Sequence, residues 1–353
     1  MVYVIVLNWN SAANTIACAE SVIALDKTPF QLVLCDNASA DNSVARLLAW
    51  AAGRADDSDW VSAEPNLTER AGARPTRLLL ELPNDRTAWH HPSPAAGTVV
   101  LIQTGFNLGY AGGNNVGIRY ALERGDADFF WILNNDTAVA PSALSALLVK
   151  ANSDPRYGIV GSTLLYHYRP EYVQVLGGCR FSAWTTSVTP VGWGKTAAEA
   201  KEVSECEVES QLDYVAGASM LVSKAFVADV GLMQEDYFLY YEEIDWAERG
   251  RRSKTHSWRL GYARDSVVFH KVGASAGTGA TKAATRRIYT SKIRFMKRFY
   301  PARNAITLMM VFMQAVKSLF THGLGHAAVI LSVLMRWRHI TASSTVKSPA
   351  DAR

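Results

Sequence analysis

Apolar and polar residues fall in blocks over the first 150 positions. Residues 2–7 form a short unbroken apolar run that ends at Asn8, and a run of that length marks a strand buried on both faces. Residues 15–25 follow with Ile16, Ala19 and Ile23 at helical spacing. A second apolar run, 31–35, closes on Asp36-Asn37-Ala38-Ser39, and 41–52 reads as a helix with Asp41 as its N-cap. Residues 99–103 predict a third strand, 111–124 a helix and 129–133 a fourth strand. Pro141 opens a further helix over 142–151, where a proline fits the first turn. Strands and helices in this alternation predict a parallel sheet covered by helices.

Residues 52–98 break the rhythm. Ala, Pro, Asp and Arg dominate there, with one apolar stretch, TRLLLEL at 76–82, so the segment reads as an insertion carrying one hairpin. Its pair His90-His91 reads as solvated. Beyond Tyr157 the pattern changes: 158–167 and 173–182 predict two strands turning at Arg169-Pro170, 184–210 is polar and irregular, and 212–223 is apolar with small residues. Such a second half supplies one wall of a ligand cleft.

Composition narrows the picture. The 353 residues are 49% hydrophobic and 19% charged, an ordinary globular balance. Cys18, Cys35, Cys179 and Cys206 are scattered without a CxxC pair, which speaks against a metal cage or a disulfide scaffold and for a reducing compartment. The N-terminus lacks a basic n-region and reads as a first strand, not a signal peptide. Charge is uneven: 281–353 hold 13 basic residues and one acid, net +12, against −8 for the remainder. Within that tail, 306–320 and 324–335 are apolar, and each is shorter than the ~20 residues that span a bilayer. With Arg336-Trp337-Arg338 they predict two interfacial helices on an anionic membrane face. Nucleic acid is not expected, since no aromatic platforms interleave with the basic residues.

The strand ends carry the candidate chemistry. In an open α/β sheet, ligands bind beyond the carboxyl ends of the strands. There the sequence places Asn8, then Asp36 and Asn37, then Asn107 leading into GYAGGNNVG, and finally Asn134-Asn135-Asp136. Gly112, Gly113 and Asn114 open a helix, either to let backbone approach an anion or to let helix pack on strand. Asp136 is the carboxylate suited to a hard divalent cation. A second acidic cluster, Glu242, Glu243, Asp245 and Glu248, lies at a helix start among Phe238, Tyr240, Tyr241 and Trp246. Asp245 and Arg249 are spaced for an ion pair, and a carboxylate among aromatics can work as a base. His270 closes a strand before a Gly/Ser/Ala-rich segment, as a core histidine, a loop anchor or a ligand.

VIVLNWN at the start, LCDNASADNS at 34–43, FNLGYAGGNNVGIRYAL at 106–122, WILNNDTAVAP at 131–141, DYFLYYEEIDWAERGRR at 236–252 and HKVGASAG at 270–277 come in an order that resembles family 2 glycosyltransferases, especially the bacterial rhamnosyltransferase-like branch. The resemblance spans about residues 2–300. It implies a GT-A, Rossmann-like mixed α/β sheet with helices on both faces, plus C-terminal amphipathic helices. The expected domains are a catalytic unit over 1–280, with a nucleotide half to about 155 and an acceptor-side half beyond it, a basic membrane-associating region over 281–340, and a disordered tail over 341–353. Asn8, Asp36, Asn37, Asn107, Gly112, Gly113, Asn114, Asn134 and Asn135 would line the nucleotide cleft. Asp136 and His270 would hold Mg²⁺ or Mn²⁺, with Asn134 standing where many relatives carry an acid. Glu243 would be the base, beside Glu242 and Asp245. The implied reaction transfers a sugar, with inversion, from a nucleotide-diphosphate sugar (dTDP-L-rhamnose by family weight) to a glycan or lipid-linked glycan acceptor. That work belongs to bacterial cell-surface polysaccharide synthesis, at the cytoplasmic face of the inner membrane. The alternatives are a UDP-sugar transferase of the same fold and a non-catalytic nucleotide-sugar- or glycan-binding relative.

Overall fold

The computed structural model describes residues 1–26, 28–53, 79–85, 89, 97–271 and 281–341. The histidine pair at 90–91, most of the 52–98 insertion, the Gly/Ser/Ala-rich 272–280 and the tail beyond 341 lie outside the described residues.

The apolar runs become strands β1 (Val2–Asn8), β2 (Phe30–Asp36), β3 (Leu79–Pro83), β4 (Val99–Gln103) and β5 (Phe129–Asn134). They pair in the order β3-β4-β2-β1-β5, all parallel. Helices α1 (Ala12–Ile23), α2 (Ser43–Ala51), α3 (Gly109–Arg124) and α4 (Ala143–Ser153) alternate with them. Both faces of the sheet are buried, which is why these strands read as continuous apolar runs. Val2, Val4 and Val6 point with Trp131 and Leu133 into a core closed by α1, α2 and α4. Tyr3, Ile5, Phe130 and Ile132 face the opposite core, under α3.

Two local expectations change. The apolar stretch of the insertion forms no hairpin within the described residues; Leu79–Pro83 is instead a parallel edge strand on β4. Parallel neighbours need a connection of a dozen or more residues, and positions 84–98 separate β3 from β4 in the sequence. The N-cap of α2 is Asn42, while Asp41 Oδ1 accepts the Ser43 N–H at 2.9 Å.

The second half makes the sheet mixed. Its elements are β6 (Thr137–Val139), β7 (Tyr157–Tyr166), β8 (Arg169–Leu176), β9 (Gly178–Ser182), β10 (Ser187–Pro190), α5 (Ala197–Glu202), α6 (Glu205–Glu209), β11 (Tyr214–Val215), β12 (Ser219–Ser223), α7 (Lys224–Val230), α8 (Glu242–Arg251) and β13 (Arg259–His270). Strand β12 inserts antiparallel between β5 and β7, and β13 runs parallel to β7 and antiparallel to β6. Strand β8 pairs antiparallel with β7, so Pro170 sits at its exposed start and the turn precedes it. Phe226, Val227 and Val230 of α7 and Trp246 of α8 extend the core under α3. A small sheet, β10-β9-β11, stands beside the main one.

Three helices close the chain: α9 (Lys282–Phe299), α10 (Asn304–Thr321) and α11 (Leu324–Met335). Phe295, Met296 and Phe299 seat α9 on Tyr237, Tyr241 and Ile244. Val311 and Ala315 of α10 meet Ile330 and Val333 of α11 over Ile293 of α9. The apolar segment is longer than the sequence suggests. A 3-10 turn runs directly into α10, giving 21 residues over Pro301–Thr321 with an 18-residue window of mean hydropathy 1.2, long and apolar enough to cross a membrane. Met309, Phe312, Met313, Val316 and Phe320 on that helix are exposed.

Candidate functional site

The carboxyl ends of β1, β2, β4 and β5 lie on one sheet edge, with Asn8 opposite Asp36 and Asp36 opposite Gln103. Asn8 is buried and donates to Asp36 Oδ1 at 2.7 Å and Ser39 Oγ at 3.1 Å, while accepting from Thr15 Oγ1 at 2.6 Å. Thr15 in turn accepts from Asn135 Nδ2 at 3.0 Å. The Asp36 carboxylate also accepts the Ser39 hydroxyl at 2.6 Å and the Ser39 N–H at 3.0 Å. Asn37 joins β2 to the loop before α3, donating to Asn107 Oδ1 and the Gly109 carbonyl and accepting the Leu108 N–H. These buried amides therefore act as struts that hold the strand ends in place. Asn107 is exposed and Asn134 half-buried.

The glycine-rich helix start is packed, not open. A Cβ on Gly113 would stand 2.3 Å from Leu7 Cδ1, and one on Gly112 would stand 2.6 Å from Leu108 Cβ. The first amides of α3 already have partners: Asn107 Oδ1 for Gly109 and the Phe238 carbonyl, 2.7 Å away, for Tyr110. Of the two readings of Gly112, Gly113 and Asn114, close helix–strand packing matches this geometry. Asn114 is buried, donates to the Tyr110 carbonyl at 2.9 Å, and its Oδ1 lacks a hydrogen-bond partner.

Asp136 and His270 meet although 134 positions separate them. Strand β13 pairs with β6, His270 facing Thr137, and the Lys271 N–H donates to the Asp136 carbonyl. His270 Nε2 then lies 3.2 Å from Asp136 Oδ1, a buried oxygen with no hydrogen-bond partner among the described residues. His270 Nδ1 stands 2.9 Å from Gln174 Oε1. With the Gln174 amide turned over, an Nε2–H would donate to Asp136; with its oxygen facing Nδ1, as here, the ring proton is on Nδ1 and the Nε2 lone pair faces a carboxylate. Two acceptors at that distance repel unless a cation intervenes or the ring carries a second proton. A divalent cation fits this pair, because metal-binding histidines are commonly fixed through their other nitrogen. No group of three or more His, Cys, Asp or Glu side chains gathers for a metal among the described residues. A hard cation held here would complete its shell with substrate phosphate oxygens and water.

The acidic cluster splits by role. Asp245 is fully buried, held by Arg249 Nε at 2.6 Å, Tyr237 OH at 2.8 Å and Arg298 Nη1 at 3.2 Å. With both oxygens engaged, it clamps α9 onto α8 and is not placed to move a proton, contrary to its grouping with the catalytic acids in the sequence reading. Glu248 is likewise held, by Arg252 and Tyr300. Glu242 is 1% exposed and its Oε2 has no hydrogen-bond partner among the described residues. Burial and then the charge of Glu243 push its carboxyl well above the usual range. Glu243 differs from the others in facing a cavity of about 440 Å³. Burial pushes its carboxyl up to about 7, with its own backbone N–H acting in the opposite direction.

The backbone entering α8 is strained, since Phe238, Tyr240 and Tyr241 all have φ between 64° and 76°. Left-handed aromatic residues cost of order 1 kcal/mol each and persist only where the surroundings enforce them. Here the enforcing contacts include the Tyr110 N–H bond to the Phe238 carbonyl and the Ser291 hydroxyl, whose one proton is shared between the Tyr237 and Leu239 carbonyls.

The sequence reading missed four participants. A Cβ on Gly217 would stand 2.2 Å from Glu243 Oε1, so only glycine leaves that carboxylate its place. Tyr110 OH donates to the Gly217 carbonyl at 2.5 Å, and burial, then Glu243, Glu242 and Asp136, raise its phenol well above the usual range. Tyr110 thus lies within electrostatic reach of both acidic groups. Gln174 and Lys292 are the others. The small-residue run at 212–223 contains Gly217 and the GYAGGNNVG motif contains Tyr110, but no local pattern marks Gln174 or Lys292.

The buried carboxyl of Glu242, whose Oε2 has no hydrogen-bond partner among the described residues, sets a stability prediction. Its folded-state affinity for a proton exceeds the unfolded one, so it costs stability as pH rises above its ordinary value of 4.5. Glu242→Gln removes that cost. Urea melts should show little difference from wild type near pH 4.5 and a clear stability gain at pH 8, above the ordinary carboxyl range. A variant less stable than wild type at pH 8 would mean the carboxylate is satisfied.

No family model matches the sequence. The chain is 29% identical over 157 residues, 43% of its length, to the low-salt glycan biosynthesis hexosyltransferase Agl10 of Haloferax volcanii. It is 27% identical over 192 residues, 51% of its length, to the N-acetylglucosaminyl-diphospho-decaprenol L-rhamnosyltransferase of Mycobacterium tuberculosis. These matches span 46% and 61% of the two relatives, about half their length. Among solved structures the fold is similar to GalNAc-T7 with UDP, GalNAc and Mn²⁺, at a TM-score of 0.55 and 11% identity, covering 95% of this chain and 56% of that one. The chain has the mixed α/β architecture of the GT-A fold, followed by C-terminal helices.

Proposed function

We propose that this protein is a metal-assisted, inverting glycosyltransferase that uses a nucleoside-diphosphate sugar. The reading rests first on the Asp136–His270 pair, which stands at the β5 end with a buried, unpartnered oxygen. The names of the two sequence relatives, a hexosyltransferase and an L-rhamnosyltransferase, support sugar transfer, and the second favours an L-rhamnosyl donor. A divalent cation bound by Asp136 and His270 would offset the charge growing on the departing diphosphate. Glu243, in the carboxylate form, takes the proton of the acceptor hydroxyl. The hydroxyl oxygen bonds to the anomeric carbon as the bond from that carbon to the diphosphate oxygen breaks, in one displacement that inverts the centre. The struts at Asn8, Asp36 and Asn37 hold the strand ends on which the donor rests, and this positioning contributes in its own right.

For the acceptor, a lipid-linked glycan suits the diphospho-decaprenol in the name of the mycobacterial relative. The exposed Met309, Phe312, Met313 and Phe320 of α10 would rest on an anionic membrane face, beside the basic Arg336 and Arg338. Replacing Phe312 and Phe320 together by glutamate should release the protein from anionic-lipid liposomes in flotation; unchanged binding would remove the membrane from the scheme.

The test of the central reading is calorimetric titration with UDP, dTDP and GDP, with and without Mg²⁺ or Mn²⁺. One diphosphate should bind, at least tenfold tighter with the metal. A folded protein that binds none of them would overturn the reading.

A further inference from the structure

The cavity that Glu243 faces is lined on its far side by the C-terminal helices, through Ile288, Tyr289 and Lys292 of α9 and Gln314 of α10. Lys292 is 7% exposed and has no carboxylate within ion-pair distance among the described residues. Its ammonium donates to Gln314 Oε1 at 2.9 Å and stands 5.0 Å from the centre of the Tyr289 ring. Gln314 is oriented in turn by Thr186, whose Oγ1 accepts from its Nε2 at 3.4 Å. An ammonium has three donors, and one amide oxygen meets one of them.

Other cations of α9 are better satisfied. Arg298 pairs with Asp245, and Lys297 donates to the carbonyls of Trp337 and Ile340. Burying an ammonium without a counter-charge is costly, and burial pulls Lys292 down to about 8. A merely structural contact to Gln314 would need no charge. The helix that carries Gln314 also displays the apolar face of Phe312, Met313 and Val316. A cation inside the cavity and an apolar surface outside it describe a binding site for an amphiphile with an anionic head.

We propose that Lys292 is an oxyanion subsite for the acceptor, reading a phosphate or diphosphate that links the acceptor's sugar to an apolar chain. This rests on the transferase reading and adds to it the side chain that would hold the acceptor's phosphate. It places the anion in the cavity that Glu243 also lines, so that a sugar carried on it can present a hydroxyl to that base. The enzyme would then select a phosphate-linked acceptor over a free glycan.

Farnesyl diphosphate, farnesol and inorganic diphosphate serve as probes, titrated calorimetrically in EDTA so that the Asp136–His270 pair does not compete for the diphosphate. The full chain should bind farnesyl diphosphate at least tenfold tighter than farnesol or inorganic diphosphate. Lys292→Met should erase the advantage over farnesol, and Lys292→Arg should keep part of it. Both variants should melt at or near the wild-type temperature and bind nucleoside diphosphate with Mn²⁺ as wild type does. No preference for farnesyl diphosphate in the wild-type chain would overturn the proposal even if the methionine variant failed to fold. So would a preference that survives in Lys292→Met, or a matching loss of nucleoside-diphosphate affinity, which would assign Lys292 to the donor. Nucleotide binding without prenyl-diphosphate binding would sink this subsite alone, whereas loss of both would sink the transferase reading with it.

Discussion

Glu243→Gln lowers turnover about a thousandfold while leaving nucleotide affinity and melting temperature close to wild type. The size follows from the job: a positioned general base contributes 10²–10⁴-fold, and the amide keeps the shape but accepts no proton at its nitrogen. The pH profile carries the same argument. Burial pushes the Glu243 carboxyl up to about 7, and the base works only when ionised. The wild-type kcat/KM should therefore rise about tenfold per pH unit below 7 and level off above it. In the glutamine variant the residual rate should lose that dependence. A variant that retains most of its rate, or a wild-type profile flat from pH 5 to 8, would take Glu243 out of the reaction. Asp245→Asn is the informative contrast. Its target is locked between Arg249, Arg298 and Tyr237, so its main expected effect is on folding, seen as a lower melting temperature.

The fold was legible because the strands that build it are buried on both faces. Continuous apolar runs such as 2–7 and 129–133 announce themselves, and the polar residues that end them mark one sheet edge. The chemistry on that edge was harder to read. Asn8, Asp36 and Asn37 looked like ligand groups, yet Asn8 and Asp36 spend hydrogen bonds on each other, Ser39 and Thr15, and Asn37 on Asn107, Leu108 and Gly109. Short polar side chains at a strand end look the same in sequence whether they brace a loop or face a substrate. Gly112 and Gly113 show the same ambiguity, and Leu7 and Leu108 resolve it by standing where a Cβ would go. What the chain order could not carry was pairing across distance. Gln174 on β8 orienting His270 on β13, and Lys292 on α9 sharing a cavity with Glu243 on α8, depend on strand insertion and helix packing that leave no local pattern. The paired acids were separable only in part. Helical spacing set Glu243 about 100° from Glu242. That Glu243 faces the cavity while Glu242 is sealed depends on the strained turn before α8 and on the missing side chain at Gly217.

Asp136→Asn abolishes the metal-dependent part of nucleotide binding and lowers turnover by at least a hundredfold. The carboxylate and His270 Nε2 stand 3.2 Å apart with no hydrogen donor between them when the ring proton is on Nδ1 toward Gln174. In the metal-free protein, asparagine relieves this, because its amide can donate to the Nε2 lone pair. The variant should therefore fold as well as wild type, or slightly better, in EDTA. With Mn²⁺ present the order should reverse, since a ligand that binds only the folded state stabilises by mass action and the variant has lost the charge that holds it. A thermal melt in EDTA and in millimolar Mn²⁺ thus separates a cation site from a plain structural ion pair without any assay of transfer. If the pair were simply a carboxylate and a protonated imidazole, asparagine would cost stability in EDTA and Mn²⁺ would raise neither melting temperature. In the expected case, wild type gains several degrees with Mn²⁺ and the variant gains none. Removing an electrostatic anchor for charge that develops on a leaving group commonly costs 10²–10³ in rate, and turnover should fall on that scale. Full turnover in Asp136→Asn, with Mn²⁺ dependence intact, would move the cation elsewhere on the sheet edge.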